Sequence, residues 1–201
     1  LFLLLVLTAV LALAACGGES LECTDELGCV EVAPDEPIVL ASSLVISGPN
    51  TELGIDSQYG VEVALELRGE VLGHALELQA EDDGCSAEGG QTSATKIVSN
   101  PQVVAMIGTS CSGAGVPAAQ IISDAGYAMV SPSNTAPSLT DPDQAFHPGY
   151  LRTAHNDEIQ GPAMAEFAFN ELGVTKAAAI HDGDPYTEGL ASSFAAAFEE
   201  M

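Results

Sequence analysis

Five short segments hold the residues whose types could do chemistry. They are Ser47-Gly48-Pro49-Asn50, Asp82-Asp83-Gly84-Cys85, Thr109-Ser110-Cys111-Ser112, Ser131-Pro132-Ser133-Asn134-Thr135 and His181-Asp182. Each follows an apolar run that reads as a strand, and ligands of open α/β sheets bind beyond the carboxyl ends of the strands. The resulting rim is rich in hydroxyls and small residues and poor in basic groups, which suits recognition of a small polar solute. Ser112 is expected to cap a helix, where free N–H groups and the positive dipole end favour a carboxylate. The plainer account of Ser112 is an ordinary N-cap, and of Thr135 a turn residue; convergence on one rim argues for a site. Gly108 to Gly113 (GTSCSG) superficially resembles a nucleophile turn, with His181-Asp182 as base and orienter. It lacks the G-x-S-x-G spacing, so no enzyme is expected. Asp82 and Asp83 fall short of the six to eight oxygens that calcium takes. No Cys-x-x-Cys pair exists and the four His are scattered, so neither zinc nor any other cofactor is expected.

These segments need elements to position them. Ile38 to Ile46 is a β-branched apolar run ending in a Ser-Gly-Pro-Asn turn, and Asp56 to Leu67 places Val61, Ala64 and Leu65 on one helical face. Ala75 to Ala80 alternates as a strand, Gly89 to Val98 is helical, and Val103 to Ile107 is a short buried strand. Ser112 to Ala125 is a helix with Ala118, Ile121, Ile122 and Ala125 on one face, and Tyr127 to Val130 is the next strand. After a long loop over residues 131–148, Tyr150 to Thr153 is extended and Asn156 reads as an N-cap with Asp157 and Glu158 in the first turn. A helix to about Leu172, a strand from Thr175 to Ile180 and a helix from Thr187 onward follow. Alternation at this spacing predicts an α/β fold with a doubly wound parallel sheet and helices on both faces. The expected division is a first lobe over 37–153 and the start of a second, truncated lobe over 154–201, because Phe194 to Met201 reads as helix with no stop signal.

Ahead of these elements, residues 1–15 (LFLLLVLTAVLALAA) carry no charge. As a helix they would span about 22 Å, short of the roughly 30 Å hydrocarbon core, so they read as the apolar stretch of a signal peptide. Leu13-Ala14-Ala15-Cys16 then resembles a lipobox, which predicts a lipid on Cys16 and anchoring to a membrane. Residues 16–36 read as the lipidated Cys and a flexible linker. The 201 residues include 29 acidic and four basic ones, a net charge of −25. That argues against nucleic acid as a partner and predicts a solvated acidic surface. With Cys16 assigned to lipid, Cys23, Cys29, Cys85 and Cys111 could form two disulfides, and the sequence leaves three pairings open. Cys23 with Cys29 would close a small loop; Cys85 with Cys111 would join two rim loops.

From Ile38 onward the chain resembles the substrate-binding proteins of branched-chain amino-acid ABC transporters, which have the two-lobed type I periplasmic binding fold. The resemblance rests on Ile46-Ser47-Gly48-Pro49, Asp82-Asp83-Gly84-Cys85, Ile107-Gly108 to Cys111-Ser112, Ser131 to Pro137, Leu151-Arg152-Thr153, and His181-Asp182 with Tyr186 and Glu188-Gly189. It implies that the Ser112 hydroxyl and N–H hold a ligand carboxylate, that the Ser133 carbonyl and the Thr135 hydroxyl receive an α-ammonium group and help fix the carboxylate, and that Tyr186 closes over the ligand. It also implies a disulfide between Cys85 and Cys111. The sequence departs from the family at Leu53, where amino-acid binders often carry an aromatic. The expectation is therefore an exported, lipid-anchored, monomeric binding protein that passes a small polar solute, of branched-chain amino-acid type, to permease subunits. Alternatives are a sensory module, or a binder of an amide, urea-like or aromatic-acid solute on the same fold.

Overall fold

The computed structural model describes residues 22–24 and 28–201. The apolar run 1–15, Cys16 as the expected lipidation residue, and the first part of the expected 16–36 linker lie outside the described residues. The chain forms β1 (Ile38–Leu44), α1 (Thr51–Arg68), β2 (Glu70–Val71), β3 (His74–Asp82), α2 (Ala87–Val98), β4 (Val103–Gly108), α3 (Ser112–Asp124), β5 (Ala128–Ser131), β6 (Tyr150–Arg152), α4 (Asp157–Glu166) and α5 (Pro185–Glu199). A 3₁₀ turn at Pro137–Thr140 breaks the long loop, and a π turn at Phe167–Glu171 ends α4.

The strands make one sheet in the order β2-β3-β1-β4-β5-β6. All neighbours are parallel except β2 with β3. Ser42 and Ser43 show how the helices divide between the faces. Ser42 Oγ donates to Gln58 Oε1 of α1 at 2.7 Å, and Ser43 Oγ bonds Ser93 Oγ of α2 at 2.6 Å. Successive strand residues point to opposite faces, so α1 and α2 flank the sheet on opposite sides. On the α2–α3 side, Val39, Ala41, Val103, Met106 and Met129 pack with Ala94, Ile97, Ala118 and Ile122 in the main core. The helices approach closely there because Gly90 leaves no Cβ against the Ala114 backbone.

The structure departs from the sequence reading at three elements. The sheet is not wholly parallel: Leu72 and Gly73, with φ of 54° and 87°, turn the chain into a two-residue hairpin that adds β2 at the edge. Thr175 to Ile180 is not a strand. It lies in no regular element and is exposed, Ile180 at 90 %, because no described strand pairs with its backbone. It runs instead past Met164 of α4 and Leu190 and Phe194 of α5. The long loop also contains a 3₁₀ turn, held from behind by Arg152, whose guanidinium donates to the carbonyl of Ala136 at 2.9 Å and to Thr140 Oγ1 at 2.6 Å.

Both candidate cystine pairs are formed, Cys23 with Cys29 and Cys85 with Cys111. The second spans 26 residues, which the chain-entropy account makes worth about 3.5 kcal/mol. The Cys85→Ser, Cys111→Ser pair of changes is expected to lower the melting temperature by several degrees under oxidising conditions. Reductant should produce a similar fall in the unaltered protein. Before β1, Val30 and Val32 are half-buried and line an apolar cavity of about 590 Å³ with Ile38, Leu40, Ala64 and Leu76. No helix among the described residues is long and apolar enough to cross a membrane.

Candidate functional site

The carboxyl ends of β1, β3, β4 and β5 deliver four loops to one edge of the sheet, and buried polar groups lock those loops together. Asp83, at the end of β3, accepts N–H bonds from Cys85 at 2.8 Å and from Ser110 at 3.0 Å. It therefore joins the same two loops that the Cys85–Cys111 disulfide joins. Burial pushes its carboxyl above the usual range, and the two N–H bonds only partly offset this. At the end of β5, Ser131 Oγ donates to the Thr109 carbonyl at 2.8 Å and accepts the Asn134 N–H at 2.9 Å. Asn134 Nδ2 donates to the same carbonyl at 3.0 Å. The β4 and β5 loops are thus one polar unit, with few groups left free to move.

Two hydroxyls stand out by how their hydrogen-bonding capacity is already committed. Ser112 does not cap α3: Cys111 is the N-cap, without a side-chain bond, and Ser112 is the first helical residue. The reason is that its hydroxyl is used across the cleft. Ser112 Oγ accepts the N–H groups of Thr135 at 3.3 Å and Ala136 at 3.2 Å. With its lone pairs occupied, its proton is left to donate to an outside acceptor. Thr135 is committed the other way. Its hydroxyl donates to Asp157 Oδ2 at 3.0 Å, so its lone pairs are left to accept. The Ser133 hydroxyl donates to the Ser110 carbonyl at 2.7 Å, while its own carbonyl accepts no bond from the described residues.

These groups surround a cavity of about 480 Å³ lined by Leu53, Ser112, Ser133, Thr135 and Tyr186, with Asn50, Gln160, Asp182 and Asp184 at its sides. Ser112, Ser133, Thr135 and Tyr186, expected from three separate parts of the chain, therefore meet in one cleft. Cys85 and Cys111 line it as a disulfide, which leaves no thiol for nucleophilic chemistry. Asp182 reaches the cavity but His181 does not line it. Hydrogen bonds from the Thr187 hydroxyl and the Asp184 N–H hold the Asp182 carboxyl below its usual range. No Lys, Arg or His lines the cleft, and no cluster among the described residues has the make-up of a metal site.

Asp157 was not anticipated beyond its place in the first turn of α4. It is fully buried, its N–H donates to the Thr135 carbonyl at 3.0 Å, and its Oδ1 has no partner among the described residues. Burial raises its carboxyl pKa; the Thr135 hydroxyl and the charges of His155 and Arg152 act to lower it. The sequence carried one signal, a second acid directly after an N-cap Asn156 that already satisfies the helix end through the Glu158 N–H at 2.7 Å. Asp157 was therefore free for another task.

A largely parallel sheet with helices on both faces and a polar cleft at its carboxyl edge defines a doubly wound α/β protein with room for a small polar ligand. Residues 37–201 match the periplasmic binding protein family, and the chain belongs to that family. It is 33% identical over 175 residues to the Leu/Ile/Val-binding protein of Escherichia coli, covering 82% of this chain and 46% of the relative. It is 28% identical to an amino acid binding protein of Pseudomonas aeruginosa over 77% of this chain and 41% of that one. Among solved structures, a leucine-binding protein of Thermotoga maritima superposes with a TM-score of 0.75 at 27% identity, covering 81% of this chain and 46% of its own. A benzoate-bound solute-binding protein of R. palustris shares the fold at 22% identity, with a TM-score of 0.72 and 82% of this chain and 45% of its own covered. The fold is thus the type I periplasmic binding fold, and the family is one of binding proteins rather than enzymes. The chain spans about half the length of the curated relatives it matches.

Proposed function

We propose that the complete protein is the solute-binding component of an ABC importer and takes a free α-amino acid, of branched-chain type, into this cleft. The observation that carries the reading is the opposed commitment of two hydroxyls: Ser112 has a proton to give and Thr135 has lone pairs to offer. A zwitterion needs that pair, a donor for its carboxylate and an acceptor for its ammonium group. The free N–H groups at the start of α3 add to the carboxylate side. The Ser133 carbonyl and the Asp157 carboxyl behind Thr135 add to the ammonium side. Leu53 supplies an apolar wall for an aliphatic side chain, and Tyr186, 39 % exposed, is placed to cover the bound solute.

A plain aromatic acid, such as the benzoate held by one structural relative, would leave the Thr135 and Ser133 acceptors unpaired in a buried site, which costs binding. In this reading the protein is exported, lipid-anchored at Cys16, tethered through residues 16–36, and works as a monomer delivering its solute to membrane permease subunits. The net charge of −25 leaves nucleic acid without a basic surface to bind.

A thermal-shift panel on the complete protein tests this. Leucine, isoleucine or valine at about a hundredfold over its dissociation constant should add roughly 2.7 kcal/mol and raise the melting temperature by several degrees. Amides, urea and benzoate should not. A panel in which only aromatic acids or amides shift the transition would overturn the amino-acid assignment.

A further inference from the structure

Helix α5 meets the sheet-bearing lobe at two points where a missing side chain allows close approach. A Cβ at Gly189 would lie 2.7 Å from Pro137 Cδ of the 3₁₀ turn. A Cβ at Gly113, the second residue of α3, would collide with Oδ2 of Asp184. The amino ends of α3 and α5 therefore face each other with one carboxylate between them. Asp184 Oδ1 accepts the Tyr186 N–H at 2.9 Å and caps α5, while Oδ2 rests over Gly113. Each helix amino end carries about half a positive charge, so the two ends repel unless an anion lies between them. Among the described residues, the N–H groups of Ser112 and Gly113 have no partner and no side-chain cation lines the cleft beside Asp184.

We propose that Asp184 is an interlobe latch: its carboxylate holds the amino end of α5 against the amino end of α3, and Gly113 is the seat that admits it. Hinge closure then draws part of its stability from this single charge. Because the same amino end of α3 faces the solute carboxylate in the proposed function, the latch is read in the empty protein, where Asp184 is the anion that this helix end meets. Being an interaction between a charge and two helix ends, it weakens with salt.

Energy transfer between labels on the exposed Glu88 of α2 and Glu199 of α5, in the complete solute-free protein, reads the open-to-closed ratio. Asp184→Asn and Asp184→Ser both keep a cap for α5 while removing the charge. Each is expected to raise the open-to-closed ratio about threefold to tenfold. Raising salt from about 0.05 to 0.5 M also screens the repulsion of a chain with net charge −25, so the latch is read as the difference: the unaltered protein should open relative to both variants. Gly113→Ala should open it at every salt concentration. Opening by Gly113→Ala with no effect of Asp184→Asn would make the contact one of packing only and overturn the latch. A salt response of the unaltered protein equal to that of both variants would overturn it.

Discussion

Replacing Ser112 by alanine is expected to lower amino-acid affinity by about tenfold to a hundredfold in calorimetry, with a smaller loss of stability. Hydrogen bonds to charged groups contribute about 1.5–3 kcal/mol, and the Ser112 hydroxyl, which accepts two N–H groups, has its proton left to give to an anion. The change also strips Thr135 and Ala136 N–H of their acceptor, so the β5 loop loses the bonds that set its height over the cleft. Ser112→Thr keeps the hydroxyl and should retain most of the affinity if the added methyl is accommodated. A Ser112→Ala protein that binds as tightly as the original would remove the donor half of the site.

Thr135→Val, a change of similar shape, should cost both binding and stability. Binding falls because the ammonium group loses its acceptor. Stability falls because Asp157, fully buried and with Oδ1 already unpartnered, would then have neither oxygen paired by a side chain, at a cost of about 2–3 kcal/mol. The effect has a pH signature. Burial raises the Asp157 pKa in the folded state, so its contribution is fully favourable below the ordinary aspartate range and is lost as pH rises through the raised value. Removing Thr135's hydrogen bond raises that value further and enlarges the loss. Thr135→Val should therefore destabilise more at about pH 7 than at about pH 4, as read from denaturant midpoints. Thr135→Val, Asp157→Asn should show no such dependence. An equal loss at both pH values would mean that Asp157 is not held ionised behind Thr135.

Much of this arrangement was legible because strand ends and the loops after them are marked locally. The runs Val103 to Ile107 and Tyr127 to Val130 fixed where the hydroxyl-rich loops begin, so Ser112, Ser133 and Thr135 could be placed on one rim without coordinates. What the hydroxyls do there was not legible. Ser112 reads as a cap by its position before a helix, yet its oxygen turns away to two N–H groups some 23 residues further on. Asp157 was hidden for the same reason: a first-turn acid looks like a response to the helix dipole, and its bond to Thr135 is set by the fold. The β2 hairpin escaped because Leu72-Gly73 lacks the Asn-Gly or Asp-Gly pair that marks such turns. Thr175 to Ile180 has the composition of a strand, but a strand also needs a partner, and composition does not report one.

The central claim is that the cleft reads both charged ends of one small molecule. Calorimetry on the complete protein with leucine, with 4-methylpentanoate, which lacks the ammonium group, and with 3-methylbutylamine, which lacks the carboxylate, tests it most directly. The opposed hydroxyls predict that leucine binds and that each half-molecule loses at least a hundredfold, since each leaves one set of buried partners unpaired. Binding of 4-methylpentanoate as tight as that of leucine would contradict the account.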